Sequence, residues 1–183
     1  HILTSAIPVG KSGTVTVAFS SAIQVAAEVI GVNELAGLAV LRVSRTGLVP
    51  ATFGDVGTIG LGDTIDALAL ATGTFGTSIV PVVGRSLVES IEFDPTDPTR
   101  SFIITDAFRN SAFYGGPIIN DAGEIIAVGV QNPLTEGGRP IGLTYEGVQQ
   151  ALPLLMAGQF IFKPFTPPSS GSSLVFPLVY SGG

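Results

Sequence analysis

Histidine and cysteine, two residue types on which nucleophilic catalysis commonly depends, are scarce in this chain of 183 residues. There is no cysteine and only one histidine, His1, which excludes thiol catalysis and a histidine-rich metal site. A serine needs a nearby base before it can act as a nucleophile. Ser111 and Asp106 share one segment without such a base, and a Ser/Lys pairing through Lys11 or Lys163 has no support in the spacing. The residue types alone therefore give no support to a serine centre in this segment.

Composition narrows the classes of partner. The net charge is −6, and charged residues make up 12% of the chain against 45% hydrophobic residues. A basic surface for nucleic acid or an anionic membrane is therefore not expected. No run of about 18 apolar residues predicts a transmembrane helix. Asp94 and Asp97, in FDPTDPTR, are interpreted as turn formers rather than calcium ligands, and Asp106 as a loop hydrogen-bond acceptor, so no metal or cofactor is predicted.

Most of the chain shows patterns typical of β-strands, so strands are expected to position the residues named above. TVTVAFS alternates apolar and polar residues, and IQVAAEVIGV continues with β-branched ones, so the two segments predict a hairpin around Ser20 and Ser21. Further strands are predicted in LAVLRV, TIDALALATG and SIVPVVGRSLVESIEF. The one predicted helix is TYEGVQQALPLLMAGQF, in which Pro153 should cause a kink or an early end and Gly158 a stop. The pattern indicates an all-β fold with a short C-terminal helix.

Turn-rich segments divide the chain. Residues 48–60 predict a linker between an N-terminal lobe, residues 1–47, and a C-terminal lobe, residues 61–160. Residues 161–183 combine a Pro/Ser/Gly tether with the apolar segment SLVFPLVY. An exposed apolar strand is prone to association, so this tail should dock on its own body or on a neighbouring chain. Because the chain starts with His1 rather than Met, we expect a fragment or processed form whose first lobe is incomplete at its start.

The segment FIITDAFRNSAFYGGPIINDAGEIIAVGV, residues 102–130, predicts a hairpin preceded by a constrained, glycine-containing loop. It resembles the active-site segment of trypsin-like serine proteases of the HtrA/Deg branch, whose pattern is roughly TDAxxNxGNSGGPLxNxxGExIGV. Further segments resemble that family in the same order, among them HILTSAIPV, AEVIGVNELAGLAVLRV and IGLTYEGVQQAL. The resemblance covers about residues 2–160. It implies two β-barrel lobes of the six-stranded, trypsin-like type.

The same resemblance leaves the catalytic triad vacant. The family's histidine, aspartate and serine positions hold Ile7, Gly37 and Tyr114. Ile7 cannot accept a proton, Gly37 has no side chain to orient a base, and a phenol is a poor replacement for serine. The oxyanion loop falls on Ala112, Phe113 and Tyr114, where alanine is less free than glycine to adopt unusual backbone angles. The resemblance therefore predicts a serine protease homologue without catalysis, a pseudoprotease.

The resemblance also implies what the retained scaffold could bind. Family members pair substrate backbone with the strand that here contains Val128, Gly129 and Val130, so these residues form either a candidate peptide-binding edge or a closed edge of the barrel. Phe113 and Tyr114 are predicted to fill the former cleft as an aromatic plug or to form an aromatic binding patch.

We expect a module that binds an extended peptide or protein partner. Two alternatives stay open: an assembly protein whose tail strand docks in a homo-oligomer, and an endopeptidase with a relocated centre. Because relatives usually work outside the cytoplasm, an extracytoplasmic location is expected by family analogy.

Overall fold

The computed structural model describes residues 1–20, 22–55, 57, 59–72, 79–108, 111–132 and 140–163. Within these residues the chain forms two β-sheets, one α-helix and one 3-10 turn at Ser111–Phe113. The predicted all-β, trypsin-like fold with a short C-terminal helix is confirmed. The apolar tail SLVFPLVY lies outside the described residues.

The first sheet contains five strands: β1 (Ile2–Ser5), β2 (Thr14–Ala18), β3 (Gln24–Asn33), β4 (Leu38–Val43) and β12 (Phe160–Ile161). Their order is β1-β4-β3-β12, with β2 also paired to β3. The predicted hairpin is confirmed, since β2 and β3 pair antiparallel with Val17 opposite Val25. A bulge between Val29 and Gly31 interrupts the register of β3 with β4.

The second sheet contains seven strands: β5 (Thr64–Thr72), β6 (Ile79–Leu87), β7 (Ser90–Asp94), β8 (Asp97–Ile104), β9 (Pro117–Ile119), β10 (Ile125–Gln131) and β11 (Pro140–Thr144). Their order is β6-β5-β9-β10-β11-β8-β7. The buried side chains of β10 and β11 form the middle of this sheet. Its two outer strands within the described residues are β6 and β7.

Part of the segment predicted as a linker is attached to the second sheet. Phe53 forms a parallel bridge with Ile125, at the start of β10. The amide of Ile125 donates to the carbonyl of Thr52 at 3.0 Å, and the amide of Gly54 donates to the carbonyl of Ile125 at 2.9 Å. The Phe53 ring also stacks on Tyr145, with centroids 4.5 Å apart. These contacts hold residues 52–54 against the second sheet.

The helix α1 (Tyr145–Met156) packs between the sheets. Of the two effects predicted for Pro153, the early end is wrong, because the helix continues past it to Met156, whereas a kink stays a prediction. The stop at Gly158 is confirmed. Gly158 has φ +78°, its amide donates to the Leu155 carbonyl, and the Gln159 amide donates to the Leu154 carbonyl. This is a Schellman ending, which requires a left-handed residue and so favours glycine.

A shared core joins the two sheets through α1. Leu155 is fully buried there, and an added Cβ on Gly31 would overlap the Leu155 carbonyl oxygen. A glycine in β3 therefore allows the helix to approach the first sheet closely. Burying each large aliphatic side chain contributes about 1.5–3 kcal/mol. The buried members of this core are Ala36, Leu38, Val40, Phe102, Val128, Val130, Ile141, Leu143, Val148, Ala151 and Leu155.

The predicted boundary at residue 160 needs a correction. Phe160 was assigned to the C-terminal lobe and Ile161 to the tether, but together they form β12, which pairs parallel with Val32 and Asn33 of the first sheet. The pairing is supported by amide donation from Val32 to the Gln159 carbonyl at 3.0 Å and from Glu34 to the Ile161 carbonyl at 2.8 Å. Sequence spacing did not reveal this return because two residues are too short to show a strand pattern.

Candidate functional site

The segments that carry Ile7 and Gly37 are adjacent. Ile7 lies in the turn after β1, and Gly37 lies in the turn between β3 and β4. The amide of Ala6, next to Ile7, donates to the Gly37 carbonyl at 2.8 Å. The Ile7 side chain is 42% exposed. An aliphatic group in this place can neither accept nor donate a proton.

Gly37 is fixed by its backbone as well as by its surroundings. It has φ +74°, in the left-handed region that side chains rarely adopt. An added Cβ would lie 2.9 Å from the Cβ of Val130, in the shared core. A carboxylate at position 37 would therefore require the turn or β10 to move.

Tyr114 follows the 3-10 turn and is held against β1 by the glycines after it. Gly115 has φ +79°, and an added Cβ there would lie 2.8 Å from the amide nitrogen of Ser5. The amide of Gly115 donates to the Gly129 carbonyl at 2.7 Å, and the amide of Gly129 donates to the Gly116 carbonyl at 2.8 Å. These two hydrogen bonds fix the segment after Tyr114 against β10, and the close approach of Gly115 to Ser5 brings Tyr114 near the end of β1, before the turn that carries Ile7. The structure thus gathers all three triad positions in one region, the three-position site: Ile7, Gly37 and Tyr114.

The loop before Tyr114 is packed rather than open. Phe113 is 3% exposed and meets the ring of Phe108 edge-to-face, with centroids 5.8 Å apart. Its carbonyl accepts a hydrogen bond from the Gly116 amide at 3.1 Å. Ala112 lies in the 3-10 turn and needs no left-handed angle, because no described non-glycine residue has a positive φ. Phe113 therefore fills the core of the second sheet, and whether Phe113 and Tyr114 act as a plug of the former cleft or as a binding patch stays a prediction.

Tyr114 itself is only half-buried and borders a groove. This depression, the Tyr114 groove, has a volume of about 470 Å³ and is lined mainly by apolar residues: Thr4, Leu68, Ala69, Leu70, Pro81, Val82, Val83, Ala112, Tyr114, Gly115, Gly116 and Pro117. Strands β5 and β6 supply half of its wall, a contribution that the sequence reasoning missed. Pro81 was an available signal, because proline within a strand indicates an outer strand.

Of two further depressions, one borders β1 and the other borders the turn that follows it. One, about 800 Å³, lies beside His1 and Ile2 and reaches Val49, Phe53 and Leu70. The other, about 270 Å³, is the Ile7 depression, lined by Ala6, Ile7, Gly10, Glu34, Gly37, Gln131 and Lys163. His1 lies at the opposite end of β1 from Ile7, so the structure does not bring the chain's histidine to the triad position.

Of the two alternatives for Val128, Gly129 and Val130, a peptide-binding edge or a closed edge of the barrel, the strand order agrees with the closed one. They belong to β10, which lies between β9 and β11. Val128 pairs with Leu143 on one side and Pro117 on the other, and Gly129 pairs with Gly142 while bonding Gly115 and Gly116. Their backbone groups are already used within the sheet. The outer strand beside the candidate site is β6.

The acidic residues take structural positions. The Ser86 hydroxyl donates to Asp106 Oδ1, which confirms Asp106 as a hydrogen-bond acceptor. Asp94 is 3% exposed, and its Oδ1 accepts from the Thr96 amide at 2.8 Å, which confirms it as a turn former. Arg100 Nη2 donates to Asp94 Oδ2 at 2.5 Å, and Arg100 Nη1 donates to the Leu35 carbonyl at 2.9 Å. This arginine connects the second sheet to the β3–β4 turn.

Burial raises the pKa of Asp94, but the hydrogen bonds from Thr96 and the positive charge of Arg100 outweigh it. The net effect holds the pKa of Asp94 below its ordinary value. Among the described residues, no three His, Asp or Glu side chains cluster closely enough to hold a metal ion. No helix in the described ranges is long and apolar enough to cross a membrane.

Comparison with known proteins agrees with this architecture. Residues 1–128 match the family described as trypsin-like peptidase domain. The chain is 29% identical over 164 residues to a probable periplasmic serine endoprotease DegP-like of Chlamydia muridarum, a match that covers 88% of this chain and 31% of the relative. A protein of the same description from Pseudomonas savastanoi is 28% identical over 160 residues, covering 86% and 31%. The chain thus spans about a third of the length of these relatives.

Solved structures give the same fold. The HtrA-type protease AlgW, solved with a decapeptide, superposes with a TM-score of 0.68 at 20% identity, covering 86% of this chain and 49% of AlgW. The chain belongs to the trypsin-like peptidase family, in its HtrA branch. The periplasmic descriptions of its relatives support the expected extracytoplasmic location by family analogy.

Proposed function

We propose that this chain has no serine-protease activity and binds an extended, apolar peptide segment in the Tyr114 groove. The observation that carries the proposal is the identity of the residues at the three triad positions: Ile7, Gly37 and Tyr114 supply no imidazole, no carboxylate and no serine hydroxyl. Acyl transfer by the triad mechanism needs all three groups in hydrogen-bond contact.

The Gly37 turn strengthens the case against a hidden triad. In an active site of this type a carboxylate orients the base. Position 37 has a left-handed backbone and Val130 within 2.9 Å of an added Cβ, so the local fold has adapted to the absence of a side chain. The loss therefore extends beyond the residue types to the backbone that carries them.

The groove supports the binding half of the proposal. Its wall contains exposed aliphatic side chains, among them Leu70 and Val83, and one of its strands, β6, is an outer strand of the sheet. An extended peptide can add to such a strand through its backbone and place alternate side chains in the groove. AlgW was solved with a bound decapeptide, which is consistent with a peptide ligand for this scaffold.

The catalytic half is tested by labelling with a fluorophosphonate probe alongside a casein and peptide-ester assay. We expect neither labelling nor turnover. Labelling that disappears on changing Ser86 or Ser111 to alanine would instead establish a relocated centre. The Ser86–Asp106 pair is the contact to inspect first in that case, although no imidazole belongs to it.

The binding half is tested with a library of fluorescent extended peptides, measured by anisotropy. Leu70→Asp should weaken binding at least tenfold, because it places a charge in the groove. Leu87→Asp is the matched control, since Leu87 is 52% exposed against 55% for Leu70 and also lies on the β5–β6 hairpin, but outside the groove. Equal affinities for both variants would contradict the assigned groove.

A further inference from the structure

The last described residue lies beside the three-position site. Lys163 borders the Ile7 depression together with Ile7 and Gly37. It is held there because its amide donates to Glu34 Oε2 at 2.8 Å and because β12, just before it, is paired to β3. Whatever follows Lys163 therefore starts at the candidate site.

The twenty residues that follow are chemically suited to an apolar groove. Residues 164–183 read PFTPPSSGSSLVFPLVYSGG and carry no charged side chain. The first nine, residues 164–172, are rich in Pro, Ser and Gly, as in a tether. The next eight, Ser173–Tyr180, are almost entirely apolar. An apolar strand of this kind is stabilised when it pairs with an outer strand and leaves water.

The tether is long enough to reach the Tyr114 groove. Nine residues span at most about 30 Å when extended. The Ile7 depression borders Ala6 and Ile7, in the turn that follows β1, whereas the Tyr114 groove borders Thr4, near the end of β1. The two depressions are therefore neighbours. A tether of nine residues also gives the tail an effective concentration of about a millimolar at the groove, which favours the chain's own tail over a second copy.

We propose that Ser173–Tyr180 occupies the Tyr114 groove of its own chain, beside β6, and so competes with other peptides for it. The proposal rests on the peptide-binding function assigned to that groove and names its resident ligand. Pro177 has no amide hydrogen, so the tail could pair along one side only, as an added outer strand does. The tail would cover the exposed faces of Leu70 and Val83.

The chain contains no tryptophan, so Phe176→Trp introduces a single reporter in the tail of the full chain. We expect blue-shifted emission relative to the same protein in denaturant, independent of protein concentration. Adding Leu70→Asp should move the emission to the red, whereas adding the matched control Leu87→Asp should not. A solvent-like emission in Phe176→Trp, or equal effects of the two aspartates, would overturn the proposal. A blue shift that vanishes on dilution would place the tail on a second copy instead and overturn it too.

Peptide binding distinguishes this proposal from the function on which it rests. Phe176→Asp should release the tail and tighten binding of library peptides by about tenfold or more, whereas Thr166→Asp, with the same charge in the tether, should not. If the tryptophan reports a Leu70-dependent site but no variant binds peptides, the tail proposal stands and the peptide-binding function fails. If wild type and Phe176→Asp bind peptides equally well and the tryptophan is insensitive to Leu70→Asp, the function stands and the tail proposal fails.

Discussion

Close packing restricts the backbone around Tyr114, whereas the side chains of Ile7 and Tyr114 are partly exposed and less restricted. Gly115, Gly116 and Gly129 interlock through main-chain hydrogen bonds and leave no room for a Cβ. Ile7 and Tyr114, by contrast, present side chains that are partly exposed and unsuited to acyl transfer. The packing that shapes this loop thus does not depend on a histidine, aspartate or serine at the triad positions. Resemblance in the glycine pattern therefore reports on the fold, and only the reactive positions report on the activity.

The largest loss of stability is expected when the hydrogen-bonded contact among Gly115, Gly116 and Gly129 is disturbed. Gly129→Ala places a Cβ into the Phe113 carbonyl oxygen, and main chain cannot move aside as a flexible side chain can. We expect a loss of about 3 kcal/mol or more in the free energy of unfolding. Gly13→Ala, where nothing lies within 4 Å of the added Cβ, is the control and should change stability by less than about 1 kcal/mol. Chemical denaturation measures both, and similar losses would refute the interlock.

Replacing Arg100 measures how much the connection between the two sheets contributes to stability. Arg100→Met leaves Asp94 buried without its ionic partner and removes the bond to the Leu35 carbonyl. Breaking a buried pair costs about 3–5 kcal/mol, and the lower end is expected because Thr96 still bonds Asp94. Arg42→Met, in an exposed pair with Glu28, should cost less than about 1 kcal/mol. Equal midpoints in thermal unfolding would contradict this difference.

Gly37 links the two regions, because it is a triad position built into the scaffold. Gly37→Asp should destabilise the protein by about 2 kcal/mol through its left-handed backbone and its overlap with Val130. Gly10→Asp separates the two causes: Gly10 also has a positive φ, +57°, but open space around it. The excess loss in Gly37→Asp over Gly10→Asp, measured by urea denaturation, reports the overlap. No excess would show that position 37 could accept a carboxylate.

The ion pair between Asp94 and Arg100 should also make stability depend on pH, with a smaller effect than the substitutions above. Because the folded-state pKa of Asp94 is lowered, its stabilising contribution is complete well above the unfolded pKa of about 4. It is lost progressively as the pH falls from about 5 through the folded pKa. Asp94→Asn should therefore show a flatter decline of unfolding free energy between pH 5 and pH 3 than wild type. If the unfolding free energies of Asp94→Asn and wild type decline in parallel, Asp94 does not contribute to the acid dependence of stability.

The smallest effect is expected at the displayed side chains. Ile7→His should change the free energy of unfolding by no more than about 0.5 kcal/mol, because Ile7 is 42% exposed and lies outside the buried clusters. Thermal unfolding of this variant beside Leu41→Ala, a buried first-sheet control expected to lose about 2–5 kcal/mol, measures the contrast. A large loss of unfolding free energy in Ile7→His would show that the Ile7 side chain contributes to the stability of the fold.

How far the sequence predicts this molecule depends on the range of the interaction. The hairpin around Ser20 and the stop at Gly158 follow from local turn chemistry, and both were predicted. The bridge between Phe53 and Ile125 and the return of Phe160–Ile161 to β3 were not, because they join distant segments whose own patterns are featureless. The three triad positions could be identified by family pattern, whereas the Tyr114 groove depends on how β5 and β6 pack beside β1.

The parallel pairing of β12 with β3 also constrains the route by which the protein folds. Ile161 lies opposite Asn33, so the first sheet cannot be completed until the chain has been synthesised almost to the end of its described part. Contacts so distant in sequence slow folding, because a long loop must be closed before the contact forms. During synthesis on the ribosome, β3 should therefore pair with β12 only after most of the second sheet has been synthesised. A chain stalled before residue 160 would leave that edge open to chaperones or to other nascent chains.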